Sequence, residues 1–226
     1  MLGWVVEQGP CPYLPGRSFT AFVPGPGWAG EYRALMDLRF RRTGAMAYAP
    51  ICRGCRACVP IRVDVARFAP RRDQRRVAAR NADLRIAVAA RGADGERTEL
   101  WRRYQLAVHG DQTAGDPSGM MLDDGGVPGG ELHARDADGR LLAVSIIDVA
   151  GDALSSVYCY YDPDARSRGL GTFMALAELA HAAALGCRWW YLGFWVDGCA
   201  RMAYKRRFGP HQLLGPSGWH DAAPSG

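Results

Sequence analysis

Residues 140–209 limit the fold more than any other stretch. "RLLAVSIIDVAG" and "ALSSVYCYYDPD" are runs of β-forming residues joined at a Gly-Asp turn, which predicts an antiparallel pair. "ARSRGLGTFMALAELAHAAALGC" then passes from a Gly-rich loop into a long Ala-rich helix, and "RWWYLGFWV" has the pattern of a buried strand. "CARMAYKRRFG" is a short helix stopped by Gly209. This order predicts an α/β fold whose sheet mixes antiparallel and parallel strands.

Inside that series, Arg166, Gly169 and Gly171 form an R-x-x-G-x-G arrangement between a strand and a helix. Glycines let backbone N–H groups approach an anion, and a helix N-terminus adds a favourable dipole. The alternative is a tight turn with no ligand. The element order resembles the core of the GNAT acyltransferases, in which this loop cradles the pyrophosphate of acyl-CoA. The resemblance implies a GNAT-like acyltransferase core, with Arg166, Gly169 and Gly171 as its cofactor-binding residues.

The first half is less regular. Residues 1–50 are rich in Gly, Pro and aromatics, with one short helical candidate at "EYRALMDLRF". "PIRVDVARF" and "LRIAVAA" fit strands, whereas "APRRDQRRVAARNADL" and "ERTELWRRYQLAVHG" fit helices. A loop of Gly, Asp and Pro covers residues 110–130. The expected division is a cysteine-bearing N-terminal region over 1–68 and a GNAT-like core over 69–226. No apolar run reaches the roughly 18 residues of a membrane span, and no basic-then-apolar segment opens the sequence. The expectation is therefore a soluble cytoplasmic protein with no membrane partner.

Charge is uneven. Residues 1–110 carry 19 Arg against 9 acids (+10), and residues 111–226 carry 9 basic residues against 14 acids (−5), which together give +5. Arg72, Arg76 and Arg80 recur every four residues and share a helix face, with Arg71 and Arg75 beside them. These five and Arg206 are candidate nucleic-acid contacts; the plainer account is a solvated face. Lys205 is the one lysine among 28 basic residues. An ammonium is a compact charge whose pKa is readily tuned, which Arg does not offer.

Cys52, Cys55 and Cys58 follow a C-x2-C-x2-C spacing, and Cys11 lies some forty residues upstream. In a reduced compartment such clustering points to metal rather than to disulfides. Four thiolates satisfy zinc and an iron–sulfur cluster alike, and a buried thiol cluster is the alternative. Cys159, Cys187 and Cys199 stand singly and fit packing positions.

"CPYLPGR", "FRRTGAMAYAPICRGCRACVPIRV", "RRDQRRVAARNADL", "LLAVSIIDV", "LSSVYCYYDPD", "YLGFWV" and "MAYKRRFGP" occur in the order seen in aminoacyl-tRNA–protein transferases. From about Cys11 to Trp219 the chain is similar to their bacterial aspartate/glutamate leucyltransferase branch, which is related to the arginyltransferases. The resemblance implies transfer of Leu or Arg from aminoacyl-tRNA to the N-terminal amine of proteins beginning with Asp or Glu, marking them for degradation. It implies that Asp148 orients or deprotonates the amine and that Arg42 pairs with the acceptor's acidic side chain. It further implies that Lys205 contacts tRNA phosphate or the terminal adenosine. Tyr158, Tyr191 and Tyr204 are candidates to line the pocket, with a core position as the alternative. In the resembling family the cysteine region holds an iron–sulfur cluster or acts as a redox-sensitive site. The chain departs from the family at "GLGT", where Gly169 replaces a side chain, and in "AVHGDQTAGDPSGMM", where His109 is preceded by Val108. Other readings stay open: an acetyl-CoA-dependent N-acetyltransferase, a tRNA-dependent transferase acting on a small molecule or peptide, and a nucleic-acid-binding module without catalysis.

Overall fold

A computed structural model describes residues 2–110, 119 and 122–222. The strands are β1 (Gly3–Pro10), β2 (Ser18–Pro24), β3 (Arg41–Thr43), β4 (Met46–Pro50), β5 (Cys58–Asp64), β6 (Arg85–Ala89), β7 (Gly129–Arg135), β8 (Leu141–Ala150), β9 (Ala153–Tyr161), β10 (Trp189–Val196), β11 (His211–Gly215) and β12 (Gly218–Asp221). The α-helices are α1 (Tyr32–Asp37), α2 (Arg72–Arg80), α3 (Gly95–Tyr104), α4 (Leu170–Ala184) and α5 (Ala200–Ala203). One sheet has the order β1-β2-β4-β3, and a larger sheet runs β12-β11-β5-β10-β9-β8-β7-β6.

The expected hairpin is β8–β9, antiparallel from Ala143↔Tyr161 to Ala150↔Ala153. Residues Leu141 to Asp148 of β8 are all buried, which explains their nearly unbroken apolar run. α4 follows the Gly-rich loop and buries Leu170, Met174, Ala175, Leu179 and Ala182 along one face. β10 then returns parallel to β9. The mixed α/β sheet expected from the sequence is the observed one.

The N-terminal region is woven into this sheet. β5 lies antiparallel to β10 on one side and to β11 on the other. Trp28, Tyr32, Leu35 and Met36 share a core with Trp189 and Tyr191 of β10. β1–β4, β7, β11 and β12 were not anticipated. They are mostly short, and Gly and Pro punctuate them, which blurs the two-residue period. Of the loop expected at 110–130, residues 111–118, 120 and 121 lie outside the described residues. Among the described residues no helix is long and apolar enough to cross a membrane.

Because Trp28, Tyr32, Leu35 and Met36 share a core with β10, and β5 is a strand of the same large sheet, this region and the sheet should unfold together. Leu35, 2% exposed, should cost about 2–5 kcal/mol as Leu35→Ala. Urea unfolding followed by fluorescence and by circular dichroism should give one coincident, shifted transition. Two transitions, with the mutation moving only the first, would contradict a shared core.

Candidate active site

β9 and β10 pair only through Trp189↔Ala153, Trp190↔Leu154 and Tyr191↔Ser155. Beyond that point the strands part, and a cleft of about 700 Å³ opens between Ser156–Tyr161 and Leu192–Phe194. β10 has a register shift against β5 between Tyr191 and Phe194. Within it Gly193 adopts φ +83°, and a Cβ there would stand 3.5 Å from Lys205 Nζ. The irregular strand and the missing side chain make room at the cleft floor.

Two cations meet this floor on successive carbonyls. Arg41 Nη2 donates to Gly193 O at 3.2 Å, and Lys205 Nζ donates to Phe194 O at 2.9 Å. Arg41 also donates to the carbonyls of Met36 and Phe40, and its plane lies 5.3 Å from the ring centres of Tyr191 and Phe194. Its Nε has no hydrogen-bond partner. Burial pushes the Arg41 pKa down. Burial and the nearby Arg41 charge lower Lys205 to about 7. Neither forms an ion pair with a carboxylate among the described residues.

Arg42 also borders the cleft, but its charge is already matched. Its Nε and Nη2 donate to Asp148 Oδ2 and Oδ1 at 2.8 and 2.7 Å. Arg91 adds a third bond to Asp148 Oδ1 at 2.7 Å. Asp148 is fully buried in the last third of β8 and does not line the cleft. Burial pushes its carboxyl up, and the two guanidiniums oppose that rise.

The expected anion loop does line the cleft, through Arg166, Gly169, Gly171 and the first turn of α4. Gly169, at φ +71°, is the N-cap, a backbone state that favours glycine. The loop is held from behind. Asn81, fully buried at the end of α2, donates to Arg168 O at 2.9 Å and accepts from Arg168 Nε at 2.9 Å. Asp162 accepts from Arg103 and Arg140. Tyr158 and Tyr204 also line the cleft, and Tyr158 OH is bonded to Gln105 Nε2 at 2.8 Å and to His109 Nε2 at 3.3 Å. Behind Ser156 sits Glu178, 1% exposed, which accepts from Ser145, Ser156 and Trp190. Its carboxyl is pushed up by burial to about 7.

The remaining candidates lie elsewhere. Arg71, Arg72, Arg75, Arg76 and Arg80 are exposed on and beside α2. Arg71 joins Arg206, Arg207 and Trp195 in a second, open groove on the far side of α5 and the turn that follows it. The guanidinium of Arg206 lies 5.0 Å from the Trp195 ring centre.

Cys58 is buried, its thiol pushed up to about 12 by burial and by Cys11, Cys52 and Cys55, so the four do approach one another. Cys52 Sγ, however, is engaged with the backbone N–H and carbonyl of Thr20. Among the described residues no group of three or more His, Cys, Asp or Glu side chains is arranged to hold a metal ion. The residues as placed do not fit a zinc or iron–sulfur ligand set.

Sequence reasoning passed over Arg41, Arg91, Asn81 and Glu178. "FRRTG" carries two adjacent arginines, and only the position of Asp148 shows which is compensated.

Family models described as arginine-tRNA-protein transferase, N terminus and C terminus match residues 9–76 and 96–215. The chain is 40% identical over 235 residues to an aspartate/glutamate leucyltransferase of Methylorubrum populi, covering 96% of this chain and 94% of the relative. It is 38% identical to one of Gluconacetobacter diazotrophicus, over 93% and 84% of the two chains. Among solved structures, FemX aligns with a TM-score of 0.54 at 9% identity, over 90% and 84% of the chains. L-PGS from Bacillus licheniformis aligns with a TM-score of 0.50 at 11% identity, over 85% and 68%. These two likenesses are of fold, the mixed α/β sheet described above.

Removing one partner of a buried ion pair typically costs about 3–5 kcal/mol. Asp148→Asn should therefore lower unfolding free energy by an amount of that order, measured by urea denaturation. Unchanged stability would show that Asp148 does not compensate Arg42 and Arg91.

Proposed function

Given that the chain belongs to the arginine-tRNA-protein transferase family, we infer that it moves leucine from leucyl-tRNA to the N-terminal amine of proteins beginning with Asp or Glu. The product would carry a new N-terminal residue that marks it for degradation. One observation carries this reading beyond the family match. Five Arg and Lys side chains line the cleft (Arg41, Arg42, Arg166, Arg201 and Lys205), and among the described residues no Asp or Glu does. Such a cleft suits two anionic partners, a tRNA end and an acidic N-terminus.

The donor ester is already activated, so the protein has to position, manage protons and stabilise the tetrahedral oxyanion. The Gly169–Gly171 turn, Arg166 and the N-terminus of α4 receive a phosphate near the tRNA 3′ end. That places the leucyl carbonyl over the floor. Lys205, whose pKa is lowered toward neutrality by burial and by the Arg41 charge, takes a proton from the acceptor ammonium. The amine nitrogen bonds to the carbonyl carbon, the ester C–O bond breaks, the proton held by Lys205 passes to the departing ribose oxygen, and the second proton left on the new amide nitrogen is released to solvent. The pair of Arg42 and Asp148 positions the wall beside this floor. No step passes through the thiols.

Incubation with labelled leucyl-tRNA should label peptides starting with Asp or Glu and leave those starting with Arg or Lys unlabelled. Acetyl transfer from acetyl-CoA in place of leucyl transfer would establish the N-acetyltransferase reading instead.

The acid limb of kcat/KM should lie near pH 7, with activity rising as Lys205 loses its proton. Arg41, Glu178, Cys58 and Cys199 face this ammonium. In Lys205→Met the rate should fall about 10²-fold or more, and the limb should move to the acceptor amine's own value, about 7.7–8.0. A limb that stays near pH 7 in the variant would remove Lys205 from proton transfer.

The exposed face of α2 offers phosphate contacts for the tRNA body. Arg72→Ala/Arg76→Ala should flatten log Kd against log salt by somewhat under about one unit per lost contact. An unchanged slope would take tRNA off this face.

A further inference from the structure

Arg41 is an expensive residue. The residue is 4% exposed, and its guanidinium has no carboxylate within ion-pair distance among the described residues and leaves Nε without a partner. Three main-chain carbonyls and two aromatic rings hold it in place. Carbonyls and ring faces orient a cation without neutralising it. A buried charge kept uncompensated is costly, and beside a cleft it awaits a counter-ion. Its neighbour Arg42 shows the contrast, since Asp148 already takes up two of its nitrogens.

Placement tells which anion. Arg41 and Lys205 are anchored on the consecutive carbonyls of Gly193 and Phe194, on one floor. An N-terminal Asp or Glu carries its amine and its side-chain carboxylate only a few bonds apart. A tRNA phosphate is separated from the leucyl carbonyl by a whole ribose, and the Gly169 turn already offers it a site. The floor therefore fits the acceptor's first residue, amine toward Lys205 and carboxylate toward Arg41. Tyr191 and Phe194 flank the guanidinium, their ring centres 5.3 Å from its carbon.

Resting on the leucyl-transfer reading, we propose that Arg41, not Arg42, is the residue that selects acidic acceptors, by direct pairing of its guanidinium with the side-chain carboxylate of the acceptor's first residue. Arg42 is a positioning residue that acts through Asp148. Asn is the informative decoy, because it keeps the shape of Asp and drops the charge. A site built around an uncompensated cation gains little from an amide.

The test measures kcat/KM for labelled leucyl transfer to two peptides that differ only in a first residue of Asp or Asn. Wild type, Arg41→Gln and Arg41→Lys are compared as full chains. Wild type should prefer Asp by about 10²-fold or more. In Arg41→Gln the Asp/Asn ratio should collapse toward unity, the Asp rate falling at least about tenfold further than the Asn rate; both rates also drop, because Lys205 loses a neighbouring charge that lowers its pKa. Arg41→Lys keeps the charge but loses the planar fork, and should retain a preference reduced by about tenfold; it serves if Arg41→Gln does not fold. A merely structural Arg41 would depress both peptides alike and leave the ratio intact, and that result overturns the assignment. Absence of transfer to either peptide by wild type overturns the leucyl-transfer reading itself, and the assignment with it.

Discussion

Everything at the candidate site follows from the parting of β9 and β10 after Tyr191 and Ser155. Two parallel strands that stay paired bury their backbone groups against each other. When they separate, the polar edges must find other partners. Here the carbonyls of Gly193 and Phe194 turn to Arg41 and Lys205. The separation thus creates the space and recruits the charges that line it. α4 starts at the mouth of the same opening, so its N-terminus adds a third positive influence.

Keeping such a cleft open requires rigid surroundings, and much of the chain outside it supplies them. The β5 strand covers the free edge of β10 and is itself backed by β11. Asp148, fully enclosed, ties β3, β8 and the segment before α3 through Arg42 and Arg91. Asn81 fastens the end of α2 to the Gly-rich turn. These contacts join the N-terminal region to the core, so that β3, with Arg41 and Arg42, lies against the floor made by β10.

The central fold was legible where burial on both faces made runs continuous. "LLAVSIIDV" and "WWYLGFWV" have only one reading at their length, and the Gly-rich turn fixed the start of α4. The strands of residues 1–50 were not legible, because Pro and Gly interrupt them and much of their burial comes from distant partners. At the site, Lys205 stood out as a solitary lysine, and Arg166, Gly169 and Gly171 stood out by spacing. The roles of Arg41 and Asp148 were hidden, since burial of a carboxylate and compensation of one arginine rather than its neighbour are properties of tertiary packing. The C-x2-C-x2-C spacing brought four thiols near one another, yet spacing alone does not aim them at a common point.

A crystal structure with a Glu-starting dipeptide and a non-hydrolysable leucyl-adenosine analogue tests the central claim most directly. Both ligands should lie between β9 and β10, with the peptide amine within about 3 Å of Lys205 Nζ and facing the leucyl carbonyl. The adenosine should point toward Gly169 and Arg166. Either ligand bound outside this opening, or an amine turned away from Lys205, would contradict the account.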